Sequence, residues 1–374
     1  GGRRLIKSDT IRLEKGKEYD LRIEYLEYAG AAVCEFGLIE EAVYDFTQLA
    51  KEAADADAVI YFTGNQHYGS KNVETEGRDR ETMSLLKSDN QAIEEVLKAK
   101  PETVIVNLSG VGVEMPWIDQ AATLVQYYFS GQEGGNAIAN VLFGKVNPSG
   151  KLTFTMPKKL ADSPAHALND YNKKAVAYKE GVFVGYRWFD AKNIEPLFPF
   201  GHGLSYTTFK VGEPKLSSSI IKQDGKVTVK VDVTNTGKTA GAEVVQLYVA
   251  APKSDVKRPV RELKNFGKVF LQPGETKAVT MQVEWQDLAF WDMEISDWNV
   301  VPGSYKIEIG TSSRDIKHRA TLSAGETTTV EVSDQEAMDL ANEILAKLTL
   351  EEKISLTHGS GTFTVGNIPR VGIE

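Results

Sequence analysis

Cysteine is nearly absent: Cys34 is the one example in 374 residues, so no intrachain disulfide can form. That leaves the compartment open, because disulfide-free enzymes occur inside and outside the cell. Histidine is scarce too, and His67, His166, His202, His318 and His358 show no short pairing, so no metal site is expected. No run of about 18 apolar residues exists, so no helical membrane span is expected. Positive charge is in deficit: a net charge of −9 argues against a nucleic-acid surface, which needs clustered Lys and Arg. The opening residues Gly-Gly-Arg-Arg-Leu-Ile lack an apolar signal core and a Met, so the sequence does not read as beginning at a native start.

What is present is ordinary globular material, 41% hydrophobic and 25% charged, in a chain too long for one core. At roughly 100–200 residues per domain, two or three domains are expected. Residues 9–38 read as β-structure. Ile11 and Leu13 alternate with charge, Lys15-Gly16-Lys17 makes a turn, and Tyr19, Leu21, Ile23 and Tyr25 alternate again. The period then becomes helical at Val43, Phe46, Leu49, Ala50 and Ala53. Apolar runs Val59–Phe62, Val104–Val106 and Leu124–Tyr128 follow, separated by a helix around Gln91–Lys98. A further helix carries Ile138, Val141 and Leu142 and ends at Gly144, a C-cap. This alternation predicts a parallel sheet covered on both faces.

From about residue 209 the pattern turns all-β. Val227, Val229, Val231 and Val233 alternate with polar residues, and turn signals at Asn235-Thr236-Gly237 and Gln272-Pro273-Gly274 predict a sandwich. The last stretch is helical again. Ser333 with Glu336 and Thr349 with Glu352 read as capping boxes, and Ala341, Ile344, Leu345 and Leu348 share a face.

The densest polar stretch, Asn72–Glu81, follows the first sheet strand, where a doubly wound sheet places its ligands. By composition alone a solvated charged loop is the favoured reading of it. Gly64–Lys71 misses the phosphate-binding pattern, with Ser and Lys in the wrong order. Gly110-Val111-Gly112 lacks a third glycine and reads as a tight turn.

Glu74-Thr75-Glu76-Gly77-Arg78-Asp79-Arg80 resembles the acid/base loop of glycoside hydrolase family 3 β-glucosidases. Val113–Trp117, Gly131–Ala137, Asn147–Leu152, Glu180–Arg187 and Pro199–Tyr206 resemble later family segments, in family order. Gly241–Tyr248 and Leu271–Thr276 fit the family's fibronectin-III-like domain. Residues 1–38 are similar to the end of a PA14 domain. Leu348–Ile354 and Ile368–Ile373 look like the opening of the family's barrel, here after the other domains rather than before them.

The resemblance therefore implies a multidomain α/β plus all-β chain. Its parts would be PA14-like strands at 1–38, an α/β sandwich domain with a largely parallel sheet at 39–208, a fibronectin-III-like domain at 209–323, and the start of a (β/α)8 barrel at 333–374. A complete barrel needs ~250 residues, so a remaining barrel segment is an implied partner.

The implied activity is retaining, exo-acting hydrolysis of β-glucosides or cello-oligosaccharides, without cofactor or metal. Such enzymes use two carboxyl groups about 5–5.5 Å apart. By motif position Glu76 resembles the acid/base and Glu74 is the runner-up, while Asp79 and Arg80 would pair to hold the loop. The nucleophile would be an Asp of the barrel. Ser296-Asp297-Trp298 imitates its context but reads as a loop tripeptide of the sandwich domain. A β-xylosidase of the same family and a non-catalytic carbohydrate-binding or scaffold piece remain alternatives. Homo-oligomerisation stays open, and no nucleic-acid or membrane partner is expected.

Overall fold

A computed structural model describes residues 13, 14, 16–20, 22, 44–65, 80, 82–171, 174–325 and 334–357. The chain divides into two units, Gly1–Thr47 and Gln48–Glu374. In the first, the expected turn is present: the Lys17 amide donates to the Glu14 carbonyl at 3.1 Å, and Gly16 takes a positive φ of 83°. The strands expected around that turn lie outside the described residues, apart from scattered positions.

Helix α1 (Thr47–Asp55) starts at the last residue of the first unit, and strand β1 (Ile60–Gly64) follows it in the second. Helix α2 (Lys87–Ala99), strand β2 (Val104–Leu108), strand β3 (Thr123–Gln126) and helix α3 (Gly134–Leu142) follow. The three strands form a parallel sheet in the order β1-β2-β3. Helix α2 forms because its apolar residues make one stripe. Ala92, Ile93, Val96 and Leu97 are buried, and Ile93 and Leu97 join Ile105, Val113, Met115, Trp117 and Met156 in one core. Helix α3 ends as expected, with Gly144 at φ 69° donating to the Val141 carbonyl.

The sheet departs from the two-sided cover expected. Ile60 and Phe62 are 39% and 52% exposed, whereas Ile105 and Val106 on the central strand are fully buried. Strand β1 is an edge strand of the described sheet. Its Tyr61 and Thr63 face the α2 core, while Ile60 and Phe62 share the other face. An unbroken apolar run predicts burial on both faces, but an edge position does not supply it.

Two short helices, α4 (Pro164–Ala167) and α5 (Tyr186–Ala191), lead to the β region. Its strands are β4 (Phe209–Val211), β5 (Lys215–Leu216), β6 (Ile220–Ile221), β7 (Lys226–Asn235), β8 (Gly241–Ala250), β9 (Glu262–Leu271), β10 (Thr276–Glu284), β11 (Phe290–Asp292), β12 (Asp297–Asn299), β13 (Gly303–Gly310) and β14 (Ile316–Ala324). One sheet runs β10-β7-β4 with β5 also on β7, and the facing sheet runs β6-β14-β13-β8-β9. The alternating valines of β7 are all buried against Val245, Leu247, Tyr305 and Ile307 of the facing sheet.

Strand β8 is buried on both faces. Val245, Leu247 and Val249 enter the sandwich core, while Gln246 and Tyr248 point the other way. There Gln246 Nε2 donates to the carbonyls of Gly201 and Thr311, and the Tyr186 ring meets Tyr248 edge-on. Segments at 147–152 and 186–206 thus form the second cover of this sheet. Asn147 fixes that cover by donating to the Ala240 carbonyl and accepting from Ser205 and the Tyr206 amide. Lys151 pairs with Glu243 at 2.8 Å, both little exposed. Asp190 of α5 receives Arg314 at 2.6 Å and Arg261 at 3.5 Å, and Arg261 also holds Glu308 at 2.7 Å.

Helices α6 (Asp334–Lys347) and α7 (Leu350–Thr357) close the described chain. The second capping box is present and reciprocal: the Thr349 amide donates to Glu352 at 2.8 Å and the Glu352 amide to Thr349 Oγ1 at 3.2 Å. Ser333 of the first lies outside the described residues. The expected apolar face is half realised, with Leu348 buried but Ala341 and Leu345 exposed.

Candidate active site

The carboxyl edge of the parallel sheet is where the polar chemistry collects. Strand β1 ends at Gly64, and a side chain there would run into the Leu108 backbone, so only glycine fits. Asn65 then donates its amide to the Leu108 carbonyl at 3.0 Å. The next residues, 66–79, lie outside the described residues, as does Glu81. Glu74, Glu76 and Asp79 are among them, so the expected acid/base, its runner-up and the expected partner of Arg80 lie outside the described residues.

The described residues on the returning side are held by the segment that follows β2. On the returning side, Arg80 Nε donates to the Thr82 carbonyl, the Glu114 amide donates to Met83, and Ser84 bridges Glu114. Asn90 Nδ2 bonds Ser84 Oγ and Asn90 Oδ1 accepts from Trp117 Nε1 at 3.0 Å. Glu114 Oε1 accepts from the Leu160 amide. The Val113–Trp117 segment is therefore a clamp: it fixes the returning chain to the start of α2, with Trp117 wholly buried.

Sequence reasoning missed a polar row beside this clamp. Register places Thr63, Asn107 and Gln126 side by side across β1, β2 and β3. Asn107 Nδ2 donates to Gln126 Oε1 at 2.7 Å and Ser109 Oγ at 2.8 Å, and Gln126 Nε2 donates to the Ser109 carbonyl. Asn107 and Ser109 are completely buried. Thr63 Oγ1 reaches Asp89 Oδ2 at 3.4 Å. Burial raises the Asp89 pKa, a rise that the Thr63 hydroxyl opposes. Burial, and then the Asp89 charge, raise Tyr61. The available signal was an amide closing each of two apolar runs, Val104–Asn107 and Leu124–Gln126.

The other expected residues fall elsewhere. Ser296-Asp297-Trp298 is not a plain loop, because Asp297–Asn299 pairs with Phe290–Asp292 as a hairpin in the β region. Short-range pairing made a strand of a tripeptide read as connection. The segments Asn147–Leu152, Glu180–Arg187 and Pro199–Tyr206 build the seam between the α/β part and the sandwich rather than the carboxyl edge. Among the described residues, no group of three or more His, Cys, Asp or Glu could hold a metal ion, and no helix is long and apolar enough to cross a membrane.

A parallel α/β layer joined through a polar seam to a fibronectin-like sandwich is thus the class that the fold and its motifs define. Residues 24–206 match the Glycosyl hydrolase family 3 C-terminal domain and residues 243–313 the Fibronectin type III-like domain, and the chain belongs to glycosyl hydrolase family 3. It is 39% identical to thermostable beta-glucosidase B of Acetivibrio thermocellus, over 89% of this chain and 45% of that protein. Among solved structures it resembles the beta-glucosidase of Kluyveromyces marxianus in complex with glucose, at 42% identity and a TM-score of 0.71, covering 77% of this chain and 34% of that one. It also resembles DesR, a beta-glucosidase of Streptomyces venezuelae in complex with D-glucose, at 36% identity and a TM-score of 0.69, covering 74% and 35%. The chain spans less than half the length of each of these relatives.

Proposed function

We propose that this chain supplies the general acid/base of a retaining β-glucosidase, with Glu76 in that role. The observation that carries the reading is the anchoring, at the carboxyl edge of the sheet, of the described residues on either side of 66–79. Asn65 is tied to the carboxyl end of β2, and the Ser84–Glu114–Asn90–Trp117 clamp receives the returning chain. The carboxyl edge of an open α/β sheet is where such folds place the groups that meet a ligand. The relatives named beta-glucosidase, two of them solved with glucose, support β-glucosides or cello-oligosaccharides as substrates.

In this reading residues 1–38 end a PA14-like domain, 39–208 form the α/β sandwich domain, 209–323 the fibronectin-III-like domain, and 333–374 open a C-terminal barrel. That barrel segment contributes the nucleophilic Asp and most sugar contacts. Burial and the nucleophile's charge would keep Glu76 protonated in the resting enzyme. Glucoside preference over xyloside is set in the barrel.

In the complete enzyme, Glu76→Gln is expected to lower turnover of poor leaving groups by ~10²–10⁴, with less effect on glycosylation by activated aryl glucosides. Unchanged cellobiose turnover in that variant would falsify the role. A dead Glu74→Gln beside an active Glu76→Gln would transfer the role to Glu74. Absence of glycosidase activity in the full-length wild type, with glucan binding retained, would favour the non-catalytic reading.

A further inference from the structure

Around Glu262, at the start of β9, the positive groups outnumber the negative ones. Arg258 Nη2 lies 2.9 Å from Glu262 Oε2, while Arg187 Nη2 and Lys264 Nζ each lie 3.7 Å from Glu262 Oε1. Arg258 is held in place, since it also donates to the Leu288 and Ala289 carbonyls. Arg187 and Lys264 meet Glu262 less closely, because 3.7 Å is an ion-pair distance and too long for a hydrogen bond. Arg187 Nε is buried with no hydrogen-bond partner. The second nearby carboxylate, Asp287, accepts from the Glu284 amide in a cap. Burial first, and then Arg258 and Arg187, lower the Lys264 pKa, against the opposing pull of Glu262 and Asp287.

Two cations facing one oxygen lie within twice 3.7 Å of each other. Their spare N–H groups offer a guanidinium edge beside an ammonium, the donor set that oxyanions take up. Side-chain exposures of 32% for Arg187 and 17% for Lys264 leave the pair shielded yet reachable from solvent. The cluster is built by α5 and β9, which contribute nothing to the carboxyl edge of the parallel sheet.

We propose that Arg187 and Lys264 form a binding site for a small oxyanion, phosphate or carboxylate, on the seam between the α/β part and the sandwich. Bound there, the anion would accept from the solvent-reachable part of the Arg187 guanidinium and from Lys264 Nζ and balance the excess charge around Glu262. It would also tie α5 to β9, beside the existing bond from the Leu263 amide to Tyr186 Oη.

The test is calorimetric titration of the chain with inorganic phosphate and, separately, with acetate, against chloride at matched ionic strength. Saturable one-to-one binding is expected, weakened at least about tenfold in Arg187→Gln and in Lys264→Met, because each removes a charged donor. Saturation by phosphate alone identifies a tetrahedral anion, and saturation by acetate identifies a carboxylate. No saturable binding of either anion by the wild type would overturn the site. So would unchanged binding in a folded Arg187→Gln variant, which stays informative should Lys264→Met fail to fold.

Discussion

The sandwich and the α/β part bury their strands to different degrees. Strands β7, β8, β9 and β10 run nine or ten residues, and β7 alternates cleanly between buried and less buried positions. Strands β1, β2 and β3 run four or five residues, and β1 shows Ile60 and Phe62 to solvent. Long strands in two facing sheets satisfy their backbone and bury their side chains against each other. Short parallel strands depend on whatever covers their faces, and their ends carry polar side chains instead of core. The sandwich is therefore the stabilising half of the described chain. The carboxyl edge of the short sheet carries the buried, hydrogen-bonded Asn107–Ser109–Gln126 row in place of apolar core.

The sharpest way to break the contrast is at the seam. Glu308 lies between Arg261 at 2.7 Å and Arg319 at 2.8 Å, with its side chain 5% exposed. Glu308→Ala should cost about 3–5 kcal/mol, because Arg261, itself little exposed, loses its best-placed partner while staying buried. Urea unfolding checks this, and a loss under 1 kcal/mol would mean the seam is wet and weak. Next in size is a matched pair. Leu247→Ala, at a fully buried site, should cost about 2–5 kcal/mol, and Phe62→Ala, at a half-exposed one, about 1 kcal/mol. Equal losses would show that the exposed face of β1 is covered in solution, for instance by self-association, and would erase the contrast.

Much of the sandwich was legible because its signals are local. Alternation at Val227–Val233 and the Gln272-Pro273-Gly274 turn need no knowledge of distant residues. The same holds for the Gly144 cap and the Thr349–Glu352 box. What was hidden depends on pairing across the chain. Asp190 meets Arg261 and Arg314, and Gln246 meets Gly201, only after folding. Several motifs that spelled out the family therefore proved to be seam. The exposure of Phe62 follows from edge position, and the Asn107–Ser109–Gln126 row from strand register, neither of which periodicity reports. Glu76 came from resemblance, and the described structure bounds its loop without describing it.

The cap at the last helix gives a smaller and more local effect. Thr349→Ala removes the hydroxyl that accepts from the Glu352 amide, and should destabilise α7 by about 0.5–2 kcal/mol. Loss of helical signal at 222 nm on heating, before the main sandwich transition, would report it. A variant indistinguishable from wild type would mean that packing at the buried Leu348, not the cap, fixes the helix start.

The smallest expected effect distinguishes the two halves by pH. Burial raises the Asp89 pKa, so the folded chain binds its proton more tightly than the unfolded chain does. The stability this adds is fully present below the unfolded value near 3.9 and is lost as pH rises through the folded value. Asn at this position cannot ionise and can still accept from the Thr63 hydroxyl. Asp89→Asn should therefore melt close to wild type at acid pH and above it at neutral pH, with the gap opening as pH rises past the unfolded value near 3.9. Thr63→Val should enlarge that gap, because it removes the group that opposes the shift. A gap that widens toward acid instead would mean that the ionised Asp89 is the form the fold favours. The polar row at the carboxyl edge would then be a stabilising device like the seam rather than a strained one.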